Sequence, residues 1–307
     1  MLRTIAEPKL SELTSLHLGG PALAMLEIGS LRDAEDVPGQ LERIGGRSCE
    51  VRPLGGGSNI LAQDGPLPAV LLTCAEAFEP EVRDAADAGD AGDAVRVRVS
   101  AGTGLPELVS LCGHLGLSGM EGLAGVPGTV GGAIAGNAGA RGQEMGLVLR
   151  QITVFSPEKG VHTLGRESFR AEYRRFSLLE EVAGYFVILE AELELQRSTP
   201  AAVRAVIREN IALKLKSQPL QVFSAGCLFR NPSPEESPYP AGKLLDMAGF
   251  RGMRRGGMCF SQKHANFLVN EGNGSATAAL ELLEEARETV RHKFGVTLQP
   301  EVKIWQF

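Results

Sequence analysis

Two glycine-rich segments carry the first chemical signal in this chain. Gly55, Gly56, Gly57, Ser58 and Asn59 directly follow an extended-looking stretch at residues 50–54. Consecutive glycines let main-chain N–H groups turn toward one point, a concavity suited to an anion such as a pyrophosphate. The second segment, residues 125–142, is longer and includes Gly125, Pro127, Gly128, Thr129, Gly131, Gly132 and Asn137. Neither segment has the GxGxxG spacing of a dinucleotide-binding strand–helix turn or the GxxxxGK[ST] of a P-loop. Tight turns would account for either one taken alone. Together, with Ser or Asn in each, they point to a large phosphate-bearing ligand lying across both and held mainly by backbone donors. The five cysteines (Cys49, Cys74, Cys112, Cys227, Cys259) are odd in number and form no CxxC pair. That pattern implies no disulfide framework, a reducing compartment and no metal site.

These segments sit in a chain of 307 residues, enough for about two or three domains and a real core. Glycine accounts for 38 residues, nearly twice the usual share of about 7%. The balance of 31 basic against 37 acidic residues, a net charge of −6, excludes the electrostatic footprint of a nucleic-acid binder. The N-terminus lacks an apolar core of signal-peptide length, so a cytoplasmic protein is expected. The uncharged run at residues 122–140 has the length of a membrane span, but its glycines, Pro127 and Asn137 are wrong for a lipid-facing helix.

The positioning elements are legible as patterns. Residues 80–94 form an acidic Ala/Gly/Asp run with almost no core-forming residues, which reads as a solvated loop. Val95, Val97 and Val99 alternate with Arg96 and Arg98, the pattern of a half-buried strand. Leu108, Val109, Leu111 and Cys112 suggest a short helix, and residues 185–195 suggest another strand. Thr199 followed by Pro200 opens a helix striped by Val203, Val206, Ile207 and Ile211. Ser275 caps a helix that Gly295 closes, and residues 300–305 alternate as a last strand ending at the core residue Trp305. The class is α+β, with helix and sheet in every zone.

The order of motifs resembles the UDP-N-acetylenolpyruvoylglucosamine reductase family. The matching stretches are residues 16–21 (LHLGGP), 53–61 (PLGGGSNIL), 122–132 (GLAGVPGTVGG) running on to 137–140 (NAGA), and 172–174 (EYR). Further along come 224–232 (SAGCLFRNP), 241–246 (AGKLLD) with 263–267 (KHANF), and 300–302 (PEV). The resemblance implies the vanillyl-alcohol-oxidase/PCMH-type FAD-binding fold. Two α+β subdomains, at residues 1–74 and 75–198, would hold non-covalent FAD, and a C-terminal α+β domain, 199–307, would bind substrate. It also implies NADPH as co-substrate, a UDP-sugar as substrate, a place in peptidoglycan synthesis, and no nucleic-acid or membrane partner.

By the same resemblance, hydride reaches C3 of an enolpyruvyl group, so the site needs positive or acidic groups at the carboxylate and a proton donor at C2. Arg174, after Tyr173, can pair a carboxylate with two parallel hydrogen bonds. The family places a Ser two residues beyond this arginine, where this chain has Phe176 with Ser177 one further, so Arg175 is the alternative. Glu301 stands where the family keeps a proton-bearing glutamate, a role that requires a raised pKa. Cys227 replaces the family's usual serine as donor to C2. A thiol ordinarily titrates near 8.5, so it releases a proton far more readily than a hydroxyl, at the cost of sensitivity to oxidation. Tyr173, Lys216, Asn231, His264 and Asn266 are the expected substrate contacts. Another flavin oxidase of the same fold is the rival reading; Ser58 stands where a flavin-linking His would weigh in its favour.

Overall fold

In the computed structural model, the structure describes residues 2–45, 49–75, 77–84 and 93–306. The chain forms two compact units that interleave along the sequence. Met1–Ala6, Leu23–Gly56 and Ala69–Leu213 make the first; Glu7–Ala22, Gly57–Pro68 and Lys214–Phe307 make the second. This division differs from the contiguous blocks 1–74, 75–198 and 199–307, because residues 7–22 and 57–68 make their contacts with the C-terminal third of the chain. Their apolar side chains Leu16, Leu18 and Leu61 lie in one buried cluster with Phe229, Phe250, Phe260 and Leu282.

Among the described residues, the first unit holds two main sheets, each with an apolar core, and two short two-stranded ladders. Its smaller sheet runs Arg3–Ala6, Ala22–Ile28, Leu67–Cys74, Glu50–Pro53, the last two parallel. Ala24, Leu26, Ile28, Val70 and Leu72 build its core, with Phe155, Val187 and Leu189. The larger sheet runs Gly160–Gly165, Leu149–Ser156, Val187–Arg197, Ala94–Ser100, Glu81–Asp84, with Leu117–Ser118 also paired to Val187–Arg197. Alternation decides its two faces. Val95, Val97 and Val99 are wholly buried in a cluster with Leu105, Leu108, Val130 and Ile134 from the helices Leu105–Leu115 and Val130–Ala135. The intervening Arg96 and Arg98 turn the other way, where they pair with Glu192 at 3.0 Å and Glu190 at 2.8 Å.

The expectation of a loop at residues 80–94 is corrected in part. Glu81–Asp84 is an edge strand antiparallel to Ala94–Ser100, and Arg98 reaches Glu81 at 3.1 Å. A strand with almost no apolar side chains is stable here because it borrows its ladder and charge partners from a neighbour. The rest of that run, residues 85–92, lies outside the described residues.

The second unit is a four-stranded antiparallel sheet in the order Phe223–Cys227, Phe267–Asn270, Met258–Phe260, Arg254–Arg255. Helices Ala241–Ala248 and Ala276–Phe294 bury Leu244, Leu245, Leu282, Leu283 and Val290 in its core. The capping signals behave as read: Ser275 Oγ accepts from Ala278 N at 3.1 Å, and Gly295 takes φ +71°. Thr199 likewise caps Pro200–Ser217 in the first unit by accepting from Ala202 N. In the second unit, Lys303–Trp305 pairs in parallel with Ile60–Ala62, and Trp305 is buried. Among the described residues, no helix is long and apolar enough to cross a membrane.

Candidate active site

Within the first unit, Gly55 and Gly56 meet the second glycine segment at close range. A Cβ on Gly56 would lie 2.7 Å from Gly128 Cα, and one on Gly55 would lie 2.9 Å from Thr129 Oγ1. Any side chain there would force the loops apart, so glycine is required for the approach itself. Thr129 Oγ1 caps the helix Val130–Ala135 by accepting from Gly132 N. Within the described residues, the N–H groups of Gly55, Gly56, Gly128 and Thr129 have no protein acceptor. Gly55, Gly56, Gly125, Pro127 and Gly132 are exposed. Uncommitted amide donors around a tight glycine cradle, without a lysine in the loop, suit a dinucleotide pyrophosphate. FAD fits these residues.

A third loop, residues 101–104, belongs to the same cluster and was not singled out from the sequence. Gly131 N donates to Ala101 O, Val130 N to Thr103 O, and Leu105 N to Gly128 O, each at 2.9 Å. The available signal was the Gly102/Gly104 pair immediately after the alternating strand.

Asn137 takes a different role from direct cofactor contact. It is 1% exposed; its Nδ2 donates to Glu144 Oε2 and Glu172 O, and its Oδ1 accepts from Gly146 N. Its amide is consumed in holding the hairpin of Phe169–Glu172 and Arg175–Leu178. Tyr173 and Arg174 form the two-residue tip of that hairpin. Arg174 has φ +55°, a left-handed conformation that costs a non-glycine residue about 1–2 kcal/mol. Strain of this kind persists where the surroundings dictate it and clusters at functional positions. The Arg174 guanidinium donates to Gly139 O at 3.0 Å and lies 5.4 Å from the Tyr173 ring centre. Arg175 begins the outgoing strand, so Arg174 is the arginine tied to the second glycine segment.

In the second unit, the segment just after Cys227 pairs with the segment that leads to Glu301. Phe229 bridges Pro300 in antiparallel register, Arg230 N donates to Gln299 O, and Glu301 N donates to Leu228 O at 2.8 Å. The pairing of Phe223–Cys227 with Phe267–Asn270 shifts register between Ser224 and Cys227, and Gly226 there has φ +80°. Such a bulge re-aims the next side chain; here that side chain is the half-buried thiol. Asn59 fixes the Glu301 segment, its Nδ2 donating to Glu301 O at 3.1 Å while its own carbonyl accepts from Lys303 N. Ser58 lies beside it, half-buried, after Gly57 at φ +63°.

The expected substrate contacts divide. Asn266 is 2% exposed, and its amide donates to Phe229 O and accepts from Phe229 N. It braces the motif and presents no surface to a ligand, a correction to its expected role. Asn231 is exposed, and its Oδ1 accepts from Ala241 N at the start of Ala241–Ala248. His264 accepts from Asn266 N, and burial followed by the nearby Arg251 cation holds its pKa below the usual imidazole range. Lys216 and Tyr173 are exposed.

The profile described as "FAD binding domain" matches residues 30–164, which span both glycine segments. The fold and site are those of an FAD-binding flavoprotein, and the α+β class agrees. The profile described as "UDP-N-acetylenolpyruvoylglucosamine reductase, C-terminal domain" matches residues 218–305. A reductase of that name from Oleidesulfovibrio alaskensis is 48% identical over 98% of this chain and 97% of its own. Its counterpart from Nitratidesulfovibrio vulgaris is 46% identical over 99% of each chain. The crystal structure of the Thermus caldophilus enzyme covers 100% of both chains at 29% identity with a TM-score of 0.80. The chain belongs to the UDP-N-acetylenolpyruvoylglucosamine reductase family.

Proposed function

We propose that this protein reduces the enolpyruvyl ether of UDP-N-acetylglucosamine to UDP-N-acetylmuramate, using NADPH, for peptidoglycan precursor synthesis and hence for cell shape and division. The observation that carries this reading is the register that sets the Cys227 strand against the Glu301 segment. The backbone pairing beside Cys227 and Glu301 supports a thiol and a carboxyl acting from one scaffold. FAD, when bound, supplies the hydride relay from NADPH to C3 of the enolpyruvyl group.

The chain's residues do the rest. The glycine cradle holds the cofactor's pyrophosphate through main-chain donors. Arg174 pairs the substrate carboxylate and stabilises the charge that develops there as hydride arrives. Glu301, holding a proton, donates a hydrogen bond to the same carboxylate. Cys227 then delivers its proton to C2, so one hydride and one proton add across the double bond while NADPH is oxidised. Lys216, Tyr173, Asn231 and His264 are the groups proposed to contact the sugar nucleotide. The two cores of the first unit are proposed as the two FAD-binding subdomains, and the cytoplasm, which supplies NADPH, as the compartment.

Anaerobic stopped flow tests the whole. NADPH should bleach the protein-bound flavin, and the enolpyruvyl sugar nucleotide should restore its colour. Bleaching without recovery would overturn the assignment, and so would a protein that ignores FAD.

A further inference from the structure

Glu121 opens the uncharged segment 122–140 and is itself 4% exposed. No cation among the described residues pairs with it. Instead its carboxylate accepts from Gly119 N at 2.8 Å and from Gln143 Nε2 at 3.2 Å. Burial works to raise its pKa, but donors from Gly119, Ser118 and Gln143 outweigh it and hold the group below the usual carboxylate range. A buried anion satisfied only by neutral donors is an expensive packing element, and an apolar side chain would fill the space at less cost. What it supplies is a fixed arrangement of amides.

That arrangement leads to the arginine. Gln143 Oε1 accepts from Gly122 N, at the entrance to the second glycine segment. Gln143 and Glu144 form the short antiparallel ladder with Gly139 and Ala140. Gly139 O is the acceptor for the Arg174 guanidinium. Glu144 supplies a second route, through Asn137 to the backbone of Glu172 beside the same arginine turn. From the other side, Asn210 Nδ2 donates to Glu121 O at 2.9 Å, tying the helix Pro200–Ser217 to the same point.

We infer that Glu121 and Gln143 are positioning residues. They lock the entrance of the flavin-binding segment and the 139–144 hairpin into one geometry, and thereby set the carbonyl on which Arg174 rests. The inference builds on the proposed reductase activity, and it concerns the substrate half of the cycle rather than the NADPH half.

The test uses the flavin-loaded full chain and follows the two half-reactions separately. Gln143→Ala should slow flavin reoxidation by the enolpyruvyl substrate about 10–100-fold, the scale of a displaced catalytic group, with bleaching by NADPH little changed. In an Arg174→Lys background the same substitution should add almost nothing, because the two act through one contact. Glu121→Ala removes the oxygen that accepts from both Gly119 N and Gln143 Nε2 and should behave like Gln143→Ala. Glu121→Gln keeps an amide oxygen in that place and should retain most of the rate. If Gln143→Ala does not fold, Glu121→Ala beside Glu121→Gln gives the same comparison. Equal slowing of both half-reactions, full additivity with Arg174→Lys, or a rate in Glu121→Gln as low as in Glu121→Ala would overturn the inference. Failure of the unaltered protein to recolour with substrate would instead sink the proposed function, and the two failures are separable.

Discussion

The glycine cluster of the first unit and the Cys227–Glu301 strands of the second solve opposite problems. In the first, backbone amides are left without protein acceptors, and side chains such as Thr129, Asn137, Glu121 and Gln143 hold that backbone in place. In the second, backbone groups are committed to one another, and the thiol and carboxyl are the parts proposed to react. A large anion whose charge is the same before and after reaction is well served by fixed dipoles. A step that moves a proton needs a titratable side chain, because an amide N–H cannot supply one at neutral pH.

This contrast sets different penalties for substitution. In the second unit, Cys227→Ala should lower substrate reduction about 10²–10⁴-fold, the usual worth of a general acid. Cys227→Ser should keep much of the rate, and NADPH should still bleach the flavin in both. Unchanged turnover in the alanine variant would make the thiol part of the scaffold. Asn266→Ala should act on stability rather than on ligand affinity. It leaves the N–H and C=O of Phe229 without partners, at about 1–3 kcal/mol each, a loss readable in denaturant midpoints; a raised substrate KM with unchanged stability would count against it.

Gly56→Ala probes the first unit. The added methyl meets Gly128 Cα at 2.7 Å, and prising the loops apart costs about 1–3 kcal/mol. Flavin affinity measured by fluorescence should fall roughly 10-fold, since 1.4 kcal/mol is one decade. Retention of full affinity would mean that the loops meet for folding alone. The smallest expected effect is in pH. Glu121 has a depressed pKa in the folded protein, so its contribution is present above the unfolded carboxylate pKa and is lost as pH falls through the folded value. The stability advantage of the parent protein over Glu121→Gln should therefore shrink on acidification, as thermal melts between neutral pH and pH 3 would show.

Much of the proposed site is legible in the sequence. The glycine segments, the Tyr173–Arg174 pair, the Cys227 motif and Glu301 stand out because their residue types are unusual for the secondary structure around them. What could not be read was which polar residues face outward. Asn137, Asn266 and Asn59 looked like ligand contacts because asparagine inside a motif is a versatile hydrogen-bonding group. Each turned out to be fully or partly engaged with backbone far along the chain: Glu172, Phe229 and Glu301 respectively. Glu121 was passed over for the converse reason, since a single acid between Met120 and Gly122 carries no local pattern.

By itself the sequence determined the local order of this protein. The strand alternation at residues 95–99, the caps at Thr199 and Ser275 and the αL stop at Gly295 depend only on side chains within a few positions of one another. Only the tertiary structure decided that residues 7–22 and 57–68 fold with the C-terminal third, that Glu81–Asp84 becomes an edge strand, and that the backbone at Leu228–Arg230 pairs with residues 299–301. Those outcomes hang on which distant backbone donors and apolar faces remain unsatisfied until the chain has closed, and no window along the sequence contains both partners.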